Sequence, residues 1–124
     1  MRRKVWAVER EVLEMVNESA REIYPREFVA TLRAEKGVIT EVMLLPGTIQ
    51  GTRSGTLMLN MMPIDLSVVG TAHSHPSRSN RPSRADVNLF GRYGNTHIIT
   101  CLPYDMSSWR AYDYNGREKE LKVV

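Results

Sequence analysis

Apolar positions along this chain change their period several times, and each change marks the boundary of an element. Val8, Val12, Met15, Val16, Ala20 and Ile23 recur at helical spacing between Glu and Arg positions, which predicts an amphipathic helix over 5–23 that Pro25 stops. Phe28 to Arg33 and Val38 to Leu45 are strand-like and flank Glu35-Lys36-Gly37, the composition of a hairpin turn. The polar, glycine-containing stretch Pro46 to Gly55 predicts a loop, Thr56 to Asn60 a short strand, and Met61 to Leu66 a turn. Ser67 to His75 is a β-branched-rich run that reads as a strand ended by Pro76. After the polar loop 77–82, Ser83 opens a second amphipathic helix through Leu89 and Phe90, which Gly91 or Gly94 can stop. His97 to Leu102 reads as a buried strand, and Trp109 to Tyr114 and Arg117 to Val123 flank Asn115-Gly116, a strong two-residue hairpin signal. The order α-β-β-β-β-α-β-β-β suits a curved, mostly antiparallel sheet with helices packed on it, an α/β layered fold.

Length limits how this pattern is organised. A chain of 124 residues has room for one core, so a single domain over 1–124 is expected. An apolar content of 42% with 25% charged residues excludes disorder as the global state. The lone Cys101 forbids an intrachain disulfide and suits a reducing compartment. Glu9, Arg10 and Glu11 interrupt any signal-peptide core after the basic start, and no run approaches the ~20 apolar residues of a membrane span. A cytoplasmic protein with no membrane partner is therefore expected. The net charge of +3 comes mainly from arginine, with Arg78, Arg81, Arg84 and Arg92 close together. That cluster can steer an acidic partner or serve as a solvated face; without a binding motif or a long basic tract it does not suggest a nucleic-acid partner.

Candidate chemistry concentrates in His73-Ser74-His75-Pro76, Ser83 and Asp86. On a strand, His73 and His75 project from the same face with Cα atoms about 6 to 7 Å apart, close enough to converge on one ion. Asp86 falls in the first turn of the following helix. A strand end and a helix start can thus bring two imidazoles and a carboxylate together and leave a fourth tetrahedral position for water, as catalytic zinc requires. Each part has a plainer reading. Ser83 with Asp86 fits a helix cap, and two histidines on a strand end can simply pack. Three ligand-type residues on neighbouring elements favour the metal reading, and capping is compatible with it. Ser74 alternates to the opposite face and reads as structural.

These residues match the HxHP-x6-S-x2-D core of the JAMM/MPN+ metalloproteases, and the resemblance, strongest to small single-domain archaeal members, extends over nearly the whole chain. It implies the MPN fold, related to that of cytidine deaminases, and one zinc per chain on His73, His75 and Asp86. Glu27, in Tyr24-Pro25-Arg26-Glu27-Phe28, stands where the family carries its upstream glutamate. The resemblance implies that Glu27 moves the proton of the attacking water and that Ser83 donates a hydrogen bond to the developing oxyanion. It further implies cleavage of ubiquitin-like proteins, in archaea the small archaeal modifier proteins, from lysine side chains, a desampylase-like activity. Gly51 to Thr56 is the candidate for ordering against the modifier's tail. MPN domains often pair, and the first helix offers a face for a homodimer.

Two other activities remain open at this level. A zinc peptidase trimming the C-terminus of a ubiquitin-like or sulfur-carrier protein needs the same residues, and a non-catalytic modifier-binding scaffold needs neither zinc nor Glu27. A zinc deaminase is excluded, because it requires a Pro-Cys-x-x-Cys pair and this chain has one cysteine. His97 and Cys101 read as packed residues, as do Trp109, Tyr112 and Tyr114.

Overall fold

The computed structural model describes residues 4–44 and 67–124. The elements are β1 (Ala7–Val8), α1 (Arg10–Ile23), β2 (Val29–Glu35), β3 (Val38–Leu44), β4 (Val68–Ser74), α2 (Arg84–Phe90), β5 (His97–Thr100), β6 (Trp109–Tyr112), β7 (Glu118–Lys119) and β8 (Lys122–Val123). The expected short strand Thr56 to Asn60, the loop and turn around it, and the Gly51 to Thr56 stretch lie outside the described residues.

Among the described residues the strands form one sheet in the order β7-β6-β5-β4-β2-β3-β1-β8. Its two outermost strands are consecutive in sequence, with Glu120 and Leu121 between them. Three Cα steps span at most about 11 Å, whereas the edges of a flat eight-stranded sheet would stand about 33 Å apart. The sheet therefore curls until its edges approach each other. Four pairings are antiparallel (β2–β3, β2–β4, β5–β6, β6–β7) and three parallel (β1–β3, β1–β8, β4–β5), so the layered α/β expectation holds with a more evenly mixed sheet.

The parallel pairings at one edge correct two sequence expectations. The first helix begins at Arg10 rather than residue 5, because Ala7 and Val8 form β1 between β3 and β8. Val8 and Val12 continue one helical period in sequence while belonging to different elements, so periodicity alone carried the helix too far. The expected strand Arg117 to Val123 is two strands. Glu118–Lys119 completes the β6 hairpin, and Lys122–Val123 joins β1 at the other edge of the sheet.

Side chains alternate between the two faces of this curl. On the inner face Leu13 and Val16 of α1 pack against Phe28, Ala30, Leu32, Ala72, Ile98 and Ala111. The apolar side of α1 is thereby used within the chain; Met15, which the periodicity placed in the stripe, is instead 52% exposed beside Glu11, Glu14 and Glu18. On the outer face the register aligns Val29, His73, Ile99 and Arg110 in one row across β2, β4, β5 and β6. Helix α2 covers this row, Leu89 on Val29 and Phe90 with Ile99 and Tyr112. No helix among the described residues is long and apolar enough to cross a membrane.

Candidate metal centre

The outer-face row places the ligand-type residues. His73 is on β4, and His75 lies just beyond it, its N–H donating to Thr100 O at 2.9 Å. β2 runs antiparallel to β4 with Val29 opposite His73, and continuing that register by two residues sets Glu27 opposite His75 on the same face. Ser74, pointing the other way, pins this crossing. Its Oγ accepts the Phe28 N–H at 2.8 Å, and its own N–H donates to Phe28 O at 3.0 Å, so the backbone immediately after Glu27 is bonded twice.

Asp86 reaches the row from the start of α2. His73 Nε2 and His75 Nε2 stand 3.2 Å apart, His73 Nε2 is 3.2 Å from Asp86 Oδ1, and His75 Nε2 is 3.2 Å from Asp86 Oδ2. Among the described residues this is one group of three side chains whose ligand atoms converge. The Ser83–Asp86 cap is also present. Ser83 Oγ accepts the Asp86 N–H at 3.1 Å, and the Ser83 N–H donates to Asp86 Oδ2 at 2.8 Å. Accepting one bond leaves the Ser83 hydroxyl proton free to be donated elsewhere. One carboxylate thus caps a helix and faces both imidazoles.

The geometry fits a zinc ion. Ligands about 2.0 to 2.1 Å from a tetrahedral metal are about 3.3 Å from one another; the two Nε2 atoms, 3.2 Å apart, match this, each lies 3.2 Å from its own oxygen of Asp86, and one ligand atom from each residue falls within 4.8 Å of the others. Two imidazoles and a carboxylate form a donor set that zinc accepts, with a fourth position left over. Burial raises the Asp86 carboxyl, but hydrogen bonds from the two imidazoles and the Ser83 N–H outweigh it and hold the group well below the usual carboxylate range. Burial lowers His75, and the bonds to Asp86 and to Ser79 O outweigh that too, so His75 is raised. A proton on His75 therefore competes with a metal.

The supports of these ligands carry no signal in sequence. His75 Nδ1 is 3.0 Å from Ser79 O; a carbonyl only accepts, so Nδ1 carries a proton in either charge state, and it is Nε2, on giving up the proton it shares with Asp86, that offers a lone pair to an ion. Tyr104 OH donates to His75 O at 2.9 Å, and Arg21 donates to the Tyr104 carbonyl. His73 is held by packing, between His75 and Phe90, whose ring centroid is 6.2 Å away; its Nδ1 is buried without a hydrogen-bond partner among the described residues. Phe90 in turn stacks on His97 at 4.2 Å. His97 is fully buried, its Nδ1 accepting from Thr71 N–H and facing Thr71 Oγ1, while Nε2–H donates to Gly94 O. Gly70 allows the segment before His97 to cross β4, since a Cβ there would come within 1.5 Å of Thr96 O. Cys101 is buried, its thiol against Ser108 O, and burial raises its pKa.

Known proteins resemble this chain in sequence and fold. Residues 2–112 match the family described as prokaryotic homologs of the JAB domain. A "probable metalloprotease" of Haloferax volcanii is 34% identical over 98% of this chain and 81% of its own length. A structure described as "JAMM: a metalloprotease-like zinc site in the proteasome and signalosome" is 40% identical, with a TM-score of 0.77 over 98% of this chain and 99% of its own. A JAB1/MPN domain protein from Archaeoglobus fulgidus is 39% identical, with a TM-score of 0.76 over 95% of this chain and 98% of its own. With the family match spanning most of its length and the ligand-type residues converging at a strand end and a helix cap, this chain belongs to the JAMM/MPN family, in its prokaryotic JAB-domain branch.

Proposed function

We propose that this protein is a zinc-dependent isopeptidase that releases ubiquitin-like modifier proteins from lysine side chains of their targets. One observation carries the reading: His73, His75 and Asp86 converge to 3.2 Å, and the register sets Glu27 opposite His75 on the same face. The Haloferax relative described as a probable metalloprotease and the solved structure described as having a metalloprotease-like zinc site support metal-dependent peptide chemistry.

His73 Nε2, His75 Nε2 and one oxygen of Asp86 would hold the ion. When bound, zinc acidifies a water and polarises the scissile carbonyl. The remaining chemistry belongs to the chain. Glu27 takes the proton of the attacking water on its carboxylate and delivers it to the leaving lysine amine. Ser83 Oγ–H donates to the carbonyl oxygen as it gains charge, and its cap to Asp86 N fixes the hydroxyl where that donation is made. Ser79 and Tyr104 hold His75 by its ring and by its carbonyl, so the ligand does not turn away.

The test is to incubate the zinc-loaded protein with a lysine-linked modifier conjugate and with a linear C-terminal extension of the same modifier. Preferential cleavage of the conjugate is expected. Preference for the linear extension would make the protein a C-terminal processing peptidase. Glu27→Gln should keep zinc and modifier binding and lose at least ~100-fold in turnover; unchanged turnover would remove Glu27 from the chemistry.

A further inference from the structure

On the outer face, beside the metal centre, lies a groove of about 630 Å³. The 78–82 loop forms one wall, and Arg110, Tyr112 and Gly116 of the β6–β7 hairpin form the other. Arg110 shares the cross-strand row of His73 two strands away, about 10 Å at the usual strand spacing. Its charge is balanced, because Arg110 Nη1 lies 2.8 Å from both carboxylate oxygens of Glu118. Arg78 and Arg81 also line the groove, are exposed, and form no ion pair among the described residues. The groove therefore carries two uncompensated cations.

The wall that bears them is bonded in place. Ser77 O accepts the Leu102 N–H at 2.8 Å, Asn80 Nδ2 donates to Ser108 O at 3.0 Å, and Tyr112 OH donates to Asn80 O at 2.7 Å. Between these anchors Ser79 O accepts the proton of the ligand His75. The opposite wall is tight as well. Gly116 has φ +81°, and a Cβ there would come 2.6 Å from Val87 Cγ2, so the hairpin turn closes against α2. Fixed walls hold the backbone that bears the two arginines in one place before a ligand arrives, so that binding orders the side chains and not the loop.

We propose that this groove docks acidic side chains of the protein substrate beside the amide presented to the metal centre. The proposal deepens the isopeptidase reading and rests on it for the occupant being a protein. Guanidinium forks match carboxylates, and a rim of unpaired arginines accelerates encounter with a complementary partner. A nucleic-acid strand fits less well. It needs a longer track of phosphate contacts and exposed rings for its bases, whereas Tyr112, the ring in this groove, is 4% exposed and already hydrogen-bonded.

Fluorescence anisotropy of a labelled octaglutamate peptide on the zinc-loaded protein tests the site without reading activity. Binding should weaken as salt is raised, fall at least about tenfold in Arg78→Glu/Arg81→Glu, and be largely kept in Arg78→Lys/Arg81→Lys. Both side chains are exposed, and matching thermal melts would show that the variants fold. Equal binding by the charge-reversed variant overturns the proposal, as does a single-stranded oligonucleotide that binds the groove more tightly than the peptide. With an acidic lysine-linked conjugate, the reversal should raise KM and leave kcat unchanged; an unchanged KM also overturns it. Variant-sensitive peptide binding by a protein that cleaves no conjugate would instead sustain the basic groove as a docking site for acidic side chains and remove the isopeptidase reading.

Discussion

Helix α1 lies on the inner face of the curled sheet with five buried residues and no side-chain cap, whereas α2 lies on the outer face with two buried residues and a reciprocal cap. Both cover the same strands, yet different forces hold them. The inner helix is kept mainly by apolar contact with β2, β4, β5 and β6, with Asn17 bonded to Asp105 O and Thr100 Oγ1 and Arg21 to the Tyr104 carbonyl at its side. A helix of seven residues is too short to persist alone in water, and two buried side chains give α2 only a small apolar anchor. What fixes its start is the Ser83–Asp86 cap and the approach of Asp86 to His73 and His75. The difference teaches that stability and chemistry are separated by the alternation of β4 itself: Ala72 and Ser74 face the apolar core, while His73 faces the site.

That separation gives opposite expectations for substitutions on the two faces. His73→Ala, His75→Ala or Asp86→Ala should lose stoichiometric zinc and abolish turnover while the protein still melts cooperatively. Leu13→Ala, on a residue 1% exposed, should lower stability by about 3 kcal/mol and leave zinc content and turnover of the folded protein intact. Metal analysis beside thermal melts checks both. A ligand variant that retains full zinc would remove that residue from the site.

Ser83 divides its two roles next. Ser83→Asp keeps a good cap but has no neutral hydroxyl to donate, and Ser83→Ala loses both functions, with about 1 kcal/mol of stability. If the hydroxyl stabilises the developing charge, both variants should turn over roughly 100-fold more slowly with zinc still bound. An active Ser83→Asp enzyme would reduce Ser83 to a cap. Zinc coordination must be measured alongside, since an introduced carboxylate can bind the metal.

His97 makes the outer face sensitive to acid in a way the inner face is not. Burial, the largest influence, pulls its pKa down to about 4 from an ordinary value of 6.5, so the folded protein holds it neutral. Below pH 6.5 the unfolded chain binds the proton more readily. The stability His97 provides is therefore complete above pH 6.5 and lost progressively as pH falls toward 4, about 2 kcal/mol of it by pH 5. An NMR titration should find His97 titrating well below pH 6. A value near 6.5 would show that burial does not keep the proton off His97.

The smallest effect is local. Removing zinc with a chelator should speed amide hydrogen exchange several-fold over Asp86–Phe90 and leave Leu13 to Ala20 unchanged. Equal acceleration in both helices would mean that the two faces melt as one unit.

The sequence alone determined what depends on near neighbours. Two histidines one residue apart on a strand must share a face, Ser83 and Asp86 three residues apart can cap one helix, and alternation from Phe28 to Arg33 marks a strand with two sides. Tertiary structure decided what depends on register and on distant chain. Val29 opposite His73 carries Glu27 to the metal side, and a slip of one residue would send its side chain to the inner face. The boundary between β1 and α1 was hidden because Val8 and Val12 satisfy a helical period, and the crossing of β8 to the far edge was hidden because Leu121 joins two strands without a break in pattern. Ser79, Tyr104 and the two free arginines are ordinary loop residues until folding sets a carbonyl by His75, a hydroxyl by its backbone and a groove beside the site. Local spacing is written in covalent geometry, whereas pairing across the sheet is chosen by which faces can be buried together.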